Sequence, residues 1–204
     1  ALKNTVASGL SDAARIQAIW TLAGIQNGGD LPSGPIKSPN GNLRREVVIN
    51  SLIAAVSQKD DPDPAVRHAR IQTMGLAISE IQAKVSPEIM AAMLEAAPAP
   101  LSEPVAPSSQ SGKPIKTGVA YEHEFERYLV RMFLERAPQA VSAYLDSPES
   151  AKVSAEKRIL AALSLPAKES APRVAKLIAS LDRAPGDEEL LRLAEAPEAP
   201  EVKA

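Results

Sequence analysis

The densest group of side chains capable of chemistry is Asp60, Asp61 and Asp63, within the stretch KDDPDPAVRHARIQTMGLA at 59–77. Closely spaced carboxylates suggest calcium. An EF-hand loop needs oxygen ligands at fixed offsets, a glycine at its turn and a closing glutamate. Here Pro62 and Pro64 take the alternate positions, and the next glutamate is Glu80. The same residues suit a helix start. Asp63 is placed to cap it, and Pro64 falls at the first helical position, where a missing N–H costs nothing. All three carboxylates then lie at the positive end of the helix dipole.

The other candidates are thinner. His123 lies among Glu122, Glu124 and Glu126, a fragment of a zinc-binding helix, but the second histidine that HExxH requires is replaced by Arg127. This group reads as a solvated helix start. His68 stands beside Arg67 and Arg70, on a surface or in a groove. GGDLPSG lacks the Lys-Ser/Thr pair and the strand–helix setting of a phosphate loop. Trp20 is expected in the core, with the lining of a groove as the alternative. Arg44, Arg45, Arg67, His68 and Arg70 could share an edge, and pairing with the nearby aspartates accounts for them. No nucleophile elbow is present. The chain has no cysteine, which removes disulfides, thiolate metal sites and covalent haem attachment. We expect no catalytic, cofactor-binding or metal-binding residue.

Composition bounds the partners. A formal charge of −2 gives no strong pull on nucleic acid or anionic lipid. No apolar run is long enough to span a bilayer, so membrane insertion is not expected. Apolar residues make up 45% and aromatics 3%, so the core must be built from Ala, Leu, Ile and Val, which favours closely packed helices. The first residue is Ala1 and the last stretch is AEAPEAPEVKA, so both ends are expected to be cuts in a longer polypeptide.

Hydrophobic spacing places helices over 13–26, 43–58, the segment from Pro64, 87–96, 121–135, 138–145, 154–165, 172–181 and 187–194. Gly24 and Gly28 are stop signals for the first of these, and 27–41, rich in glycine and proline, is a loop. The stretch 97–119 holds few large apolar side chains and is expected to be a flexible insertion. It separates N-terminal repeats at 1–96 from C-terminal repeats at 120–194, and 195–204 is a disordered tail.

RIQAIWTLA, RIQTMGLA and RILAALSL share Arg-Ile followed by small or apolar residues. Arg15, Arg67, Arg127 and Arg158 recur near the start or middle of alternate helices. With the two loops discounted, their intervals fall slightly below the roughly 40–47 residues of HEAT and armadillo units. DDPDPAVRHARIQTMGLA resembles the HEAT signature of Asp-rich turn, Pro, Val-Arg and a small residue. That resemblance implies an all-α, HEAT-like α-solenoid of about four antiparallel helix pairs. It also implies that Asp63 and Arg67 belong to an inter-repeat ladder with Arg15, Arg127 and Arg158. RIQAIWTLAGI, DPDPAVRHARI, YEHEFERYLVRMFLE and KRILAALSL are further similar to the HEAT region of Planctomycete–Verrucomicrobia-type membrane-bound dehydrogenase and haem-binding proteins.

The function implied is a non-catalytic scaffold that holds a protein partner or flanking domains. An alternative is a structural spacer in an exported dehydrogenase–cytochrome c polypeptide. Another is a HEAT-like lyase or repeat-built DNA glycosylase, which would need acid–base residues in a pocket or a basic face with aromatic wedges. The narrower likeness implies an exported, periplasmic setting, and a free-standing scaffold a cytoplasmic one. On the ladder reading, Arg67→Ala destabilises more than Arg44→Ala.

Overall fold

The computed structural model describes residues 2–8, 11–26, 31, 34–81, 84–107, 112 and 114–203. The described residues are mainly helical: twelve α-helices and one two-stranded antiparallel hairpin. None of these helices is long and apolar enough to cross a membrane. The chain forms two compact units, Ala1–Ala77 and Ile78–Ala204.

The first unit holds α1 (Leu2–Ser8), α2 (Asp12–Gln26), a 3-10 turn (Gly34–Lys37), α3 (Gly41–Ile49), α4 (Leu52–Ser57) and most of α5 (Pro64–Ile81). Ser11 caps α2 by accepting the Ala14 N–H at 3.2 Å. Val6, Ile19, Leu22, Leu43 and Val47 form its core. The spacing predicts one helix over 43–58, and the structure breaks it in two. Asn50 turns its amide back onto Glu46 O at 2.9 Å, and Ser51 goes extended to cap α4 through the Ala54 N–H. Two side chains that compete for backbone groups end one helix and begin the next. Gly24 does not stop α2, which continues to Gln26. Residues 27–30 and 32–33 of the expected loop, Gly28 and most of GGDLPSG among them, lie outside the described residues.

The second unit holds α6 (Pro87–Glu95), β1 (Val105–Pro107), β2 (Pro114–Lys116), α7 (Gly118–Leu134), α8 (Pro138–Asp146), a 3-10 turn (Pro148–Lys152), α9 (Ala155–Leu163), α10 (Ala167–Ile178), α11 (Asp187–Ala194) and α12 (Pro200–Lys203). Its centre is α9, which packs against α6, α7, α8, α10 and α11. Five consecutive residues of α9, Ile159–Leu163, are buried. Along that stretch the helix is apolar all round, and its alanines let neighbours approach from several sides. α10 starts at Ala167 rather than at Pro172. Ser170 and Ala171 are fully buried, and that burial holds the extra turn although the proline forfeits one backbone bond.

Two boundaries differ from the sequence reading. The division into units falls within α5 and not at 97–119. α6 buries Met90, Met93 and Leu94 and packs on α8 and α9, which assigns it to the second unit. Within 97–119, β1 and β2 pair Val105 with Lys116, and Thr117 N–H bonds Pro104 O at 2.8 Å. Residues 108–111 and 113 of that stretch lie outside the described residues. In the 195–204 tail, α12 packs on α10, and Lys176 Nζ lies 3.4 Å from Glu201.

Gly24 supplies a direct test of α2. A Cβ added there meets nothing within 4 Å. Gly24→Ala should therefore raise stability by about 0.5–1 kcal/mol through helix propensity, as measured by urea unfolding.

Candidate interaction surfaces and the ion pairs behind them

The aspartate cluster organises a buried knot in the first unit. Asp61 is 4% exposed and takes both guanidinium arms of Arg44, Nε at 2.7 Å and Nη2 at 2.8 Å. Its carboxylate also accepts from Gln58 Nε2 at 2.9 Å and from the Asp63 N–H at 2.9 Å. The third arm of Arg44 donates to Ser38 O at 2.7 Å, tying the 3-10 turn to the same point. Burial pushes the Asp61 carboxyl up, but Arg44, the Asp63 N–H and Gln58 outweigh it and hold it below the usual carboxylate value.

Asp63 accepts the Ala65 N–H at 2.9 Å, in the capping position ahead of Pro64. Its other oxygen leans on the start of α3, so closely that a Cβ at Gly41 would stand 2.0 Å from it. A larger residue there would push the Asp63 carboxylate out of its place at the start of α5. Arg67 donates to Asp61 O at 2.9 Å and Pro62 O at 3.2 Å, within its own turn. Arg70 donates to Ala55 O at 2.8 Å.

The other arginines of the expected ladder do not repeat this arrangement. Arg15 fastens α2 to α1 through Val6 O at 3.1 Å and pairs with Asp12. Arg127 lies 3.0 Å from Glu156. Arg158 has its Nε buried without a hydrogen-bond partner. The inter-repeat ladder stays an implication of the resemblance: Arg15 and Arg127 each meet a carboxylate, and Arg67 meets carbonyls of its own turn. What α7, α9 and α11 share is a chain of alternating charges. Glu156 binds Arg127 and Arg183, and Arg183 Nη2 donates to Glu189 at 2.7 Å. Glu189 caps α11 through the Gly186 N–H at 2.6 Å. Burial pushes the Glu189 carboxyl up, but Arg183 and the Gly186 N–H hold it below its ordinary value.

The histidines stand apart in character. His123 Nδ1 lies 2.8 Å from Ala99 O, a distance that suits a donated N–H. His68 is half-buried on α5.

The surface carries two aromatic features, one of them at a residue expected in the core. Trp20 is 51% exposed, and its indole N–H donates to Glu46 Oε2 at 2.7 Å. The pinned ring walls a groove of about 530 Å³ with Ala23, Gly24, Ile49, Asn50, Ser51 and Leu52. On α7, Phe125 parts from Leu129 and Phe133. Those two are buried, whereas Phe125 stacks with the exposed Tyr121 and Tyr128. Helical phase separates the faces: 121, 125 and 128 fall together, and 129, 130, 133 and 134 fall on the core side.

Comparison of the chain with protein-family models, with curated proteins and with solved structures finds no match.

Arg44→Ala should cost about 3–5 kcal/mol, because it leaves Asp61 buried and unpaired. Arg67→Ala should cost about 1 kcal/mol, the reverse of the ladder expectation. Urea unfolding ranks the two. Asp61 and Glu189 are both held below their ordinary values, so each stabilises the fold above about pH 4. That stability is lost as pH falls through the lowered values. The unfolding midpoint should drop between about pH 5 and pH 2, and drop less in Asp61→Asn.

Proposed function

We propose that this chain is a non-catalytic helical-repeat module of HEAT type that holds a protein partner. The observation that carries the reading is the Trp20 groove. A large aromatic ring is fixed half in solvent by Glu46, and small residues on α2 and at the α3–α4 break leave space beside it. Ile25, Ile49 and Ile53 are also exposed on this unit, at 68%, 42% and 70%. An open groove of mixed polarity beside a pinned aromatic, with exposed isoleucines on the same unit, suits the apolar stripe and polar flank of an amphipathic helix. The repeated Arg-Ile helices and the HEAT-like turn support a solenoid, in which stacked pairs offer an extended binding face. The four segments similar to the dehydrogenase and haem-binding family favour a spacer role between redox domains as the second reading.

Trp20 is the sole tryptophan, so its emission reports on the groove. Amphipathic-helix peptides selected from a display library against the full chain should shift that emission on titration. Gly24→Leu, which fills the groove, should weaken them at least tenfold while leaving the circular dichroism intact. Selected peptides that ignore both Trp20 and Gly24→Leu would remove the groove reading.

A further inference from the structure

α11 is docked with its amphipathic pattern reversed. Glu189 is 3% exposed, whereas Leu190 and Leu191 are 52% and 65% exposed. Of the three leucines on α11 only Leu193 packs against the apolar cluster of Ile159, Leu163 and Val174 on α9 and α10. A helix held by hydrophobic burial would turn its other leucines inward as well.

What fastens α11 is charge. Glu189 accepts from Arg183 Nη2 at 2.7 Å and from the Gly186 N–H at 2.6 Å. Arg183 Nε also donates to Glu156 of α9 at 3.0 Å, and Glu156 lies 3.0 Å from Arg127 of α7. Glu188 accepts from Arg131 of α7 at 2.5 Å, and Arg131 shares itself with Glu135 at 2.9 Å. In the last turn of α11, Arg192 donates to Leu163 O at the end of α9, at 3.1 Å. Both turns of α11 are thus tied down by charged side chains.

Such ties fix position and contribute little net free energy. Pairs with access to solvent are screened by salt, and buried ones lose to desolvation most of what attraction supplies. The helices beneath are held differently, by burial of Ile159–Leu163 on α9 and of Ala171 and Val174 on α10. The chain on either side of α11 is also seated. α10 precedes it, and α12 follows and packs back on α10, with Lys176 Nζ 3.4 Å from Glu201. α11 can therefore lift with both of its ends still attached.

We propose that α11 is a strap, latched by charge across the edge of α9 and α10, that opens and recloses while the helices beneath it stay folded. Opening withdraws Leu193 from Ile159, Leu163 and Val174 and frees the carbonyl that Arg192 holds. Ionic strength then sets how often that apolar seat is reachable. The strap lies in the second unit and does not rest on the Trp20 groove.

Hydrogen exchange of the full chain, read by mass spectrometry on peptides of α9, α10 and α11, tests this. In dilute buffer the α11 amides should exchange at least about tenfold faster than those of α9. Sodium chloride at about 1 M should speed α11 by a further threefold or so and leave α9 unchanged. Arg183→Gln, which leaves Glu189 buried without its cation, should speed α11 at least about tenfold and leave α9 and α10 unchanged. The Leu190→Ala/Leu191→Ala double variant removes more apolar surface but no latch, and should keep the α11 rates within about twofold. Equal protection of α11 and α9 overturns the proposal, as does exchange of α11 that ignores salt. An Arg183→Gln chain in which all three helices speed up together overturns it too, since α11 then opens only when the unit unfolds. So does a double leucine variant that frees α11 as far as Arg183→Gln does, which indicates apolar docking.

Discussion

Arg44 and Asp61 hold the first unit together at the point where its turns converge. The guanidinium reaches the 3-10 turn, and the carboxylate reaches the start of α5 and the end of α4. A buried ion pair of this kind adds little net stability, since desolvating two charges offsets their attraction. Its effect is selective. Any register that separates the partners leaves a charge in the interior, and that costs far more than the pair contributes. The geometry around it is correspondingly tight, with Asp63 set against α3 so that any side chain at position 41 would displace the Asp63 carboxylate.

The second unit meets the same need for order around an alanine-rich helix. The stretch Ile159–Leu163 of its middle helix is buried on all sides, and alanine at 161 and 162 keeps the surrounding helices close. Few aromatic side chains are needed because the space between the helices is small. The charged groups form a chain from Arg127 through Glu156 and Arg183 to Glu189, linking α7, α9 and the start of α11. Tyr144 is left with its hydroxyl buried and without a partner, and burial pushes that hydroxyl's pKa up.

The helices were legible because their apolar spacing is regular and their caps are of familiar types, Ser11, Ser86 and Ser154 among them. What misled lay where side chains compete with the backbone or where burial overrides propensity. Asn50 and Ser51 carry no break signal as strong as proline or glycine, yet together they divide a helix. Pro172 looks like a helix start, and the burial of Ala171 carries the helix back past it. The repeated arginines suggested a common role, but spacing along a chain does not specify which carbonyl or carboxylate a long side chain will meet. The surfaces were harder still. An aromatic residue in a chain with few of them is naturally assigned to the core, and Trp20 instead stands half in solvent, held by Glu46.

That distribution of rings gives the two units separate optical identities. The only tryptophan, Trp20, belongs to the first unit, whereas all three tyrosines, Tyr121, Tyr128 and Tyr144, belong to the second. Tryptophan emission therefore follows the unfolding of one unit, and tyrosine absorbance follows the other, in the same sample and without an added label. Coincident transitions would identify the pair as one cooperative entity, and separated ones as two. The scarcity of aromatic residues that limits the core chemistry thus leaves each half of the chain with its own spectroscopic voice.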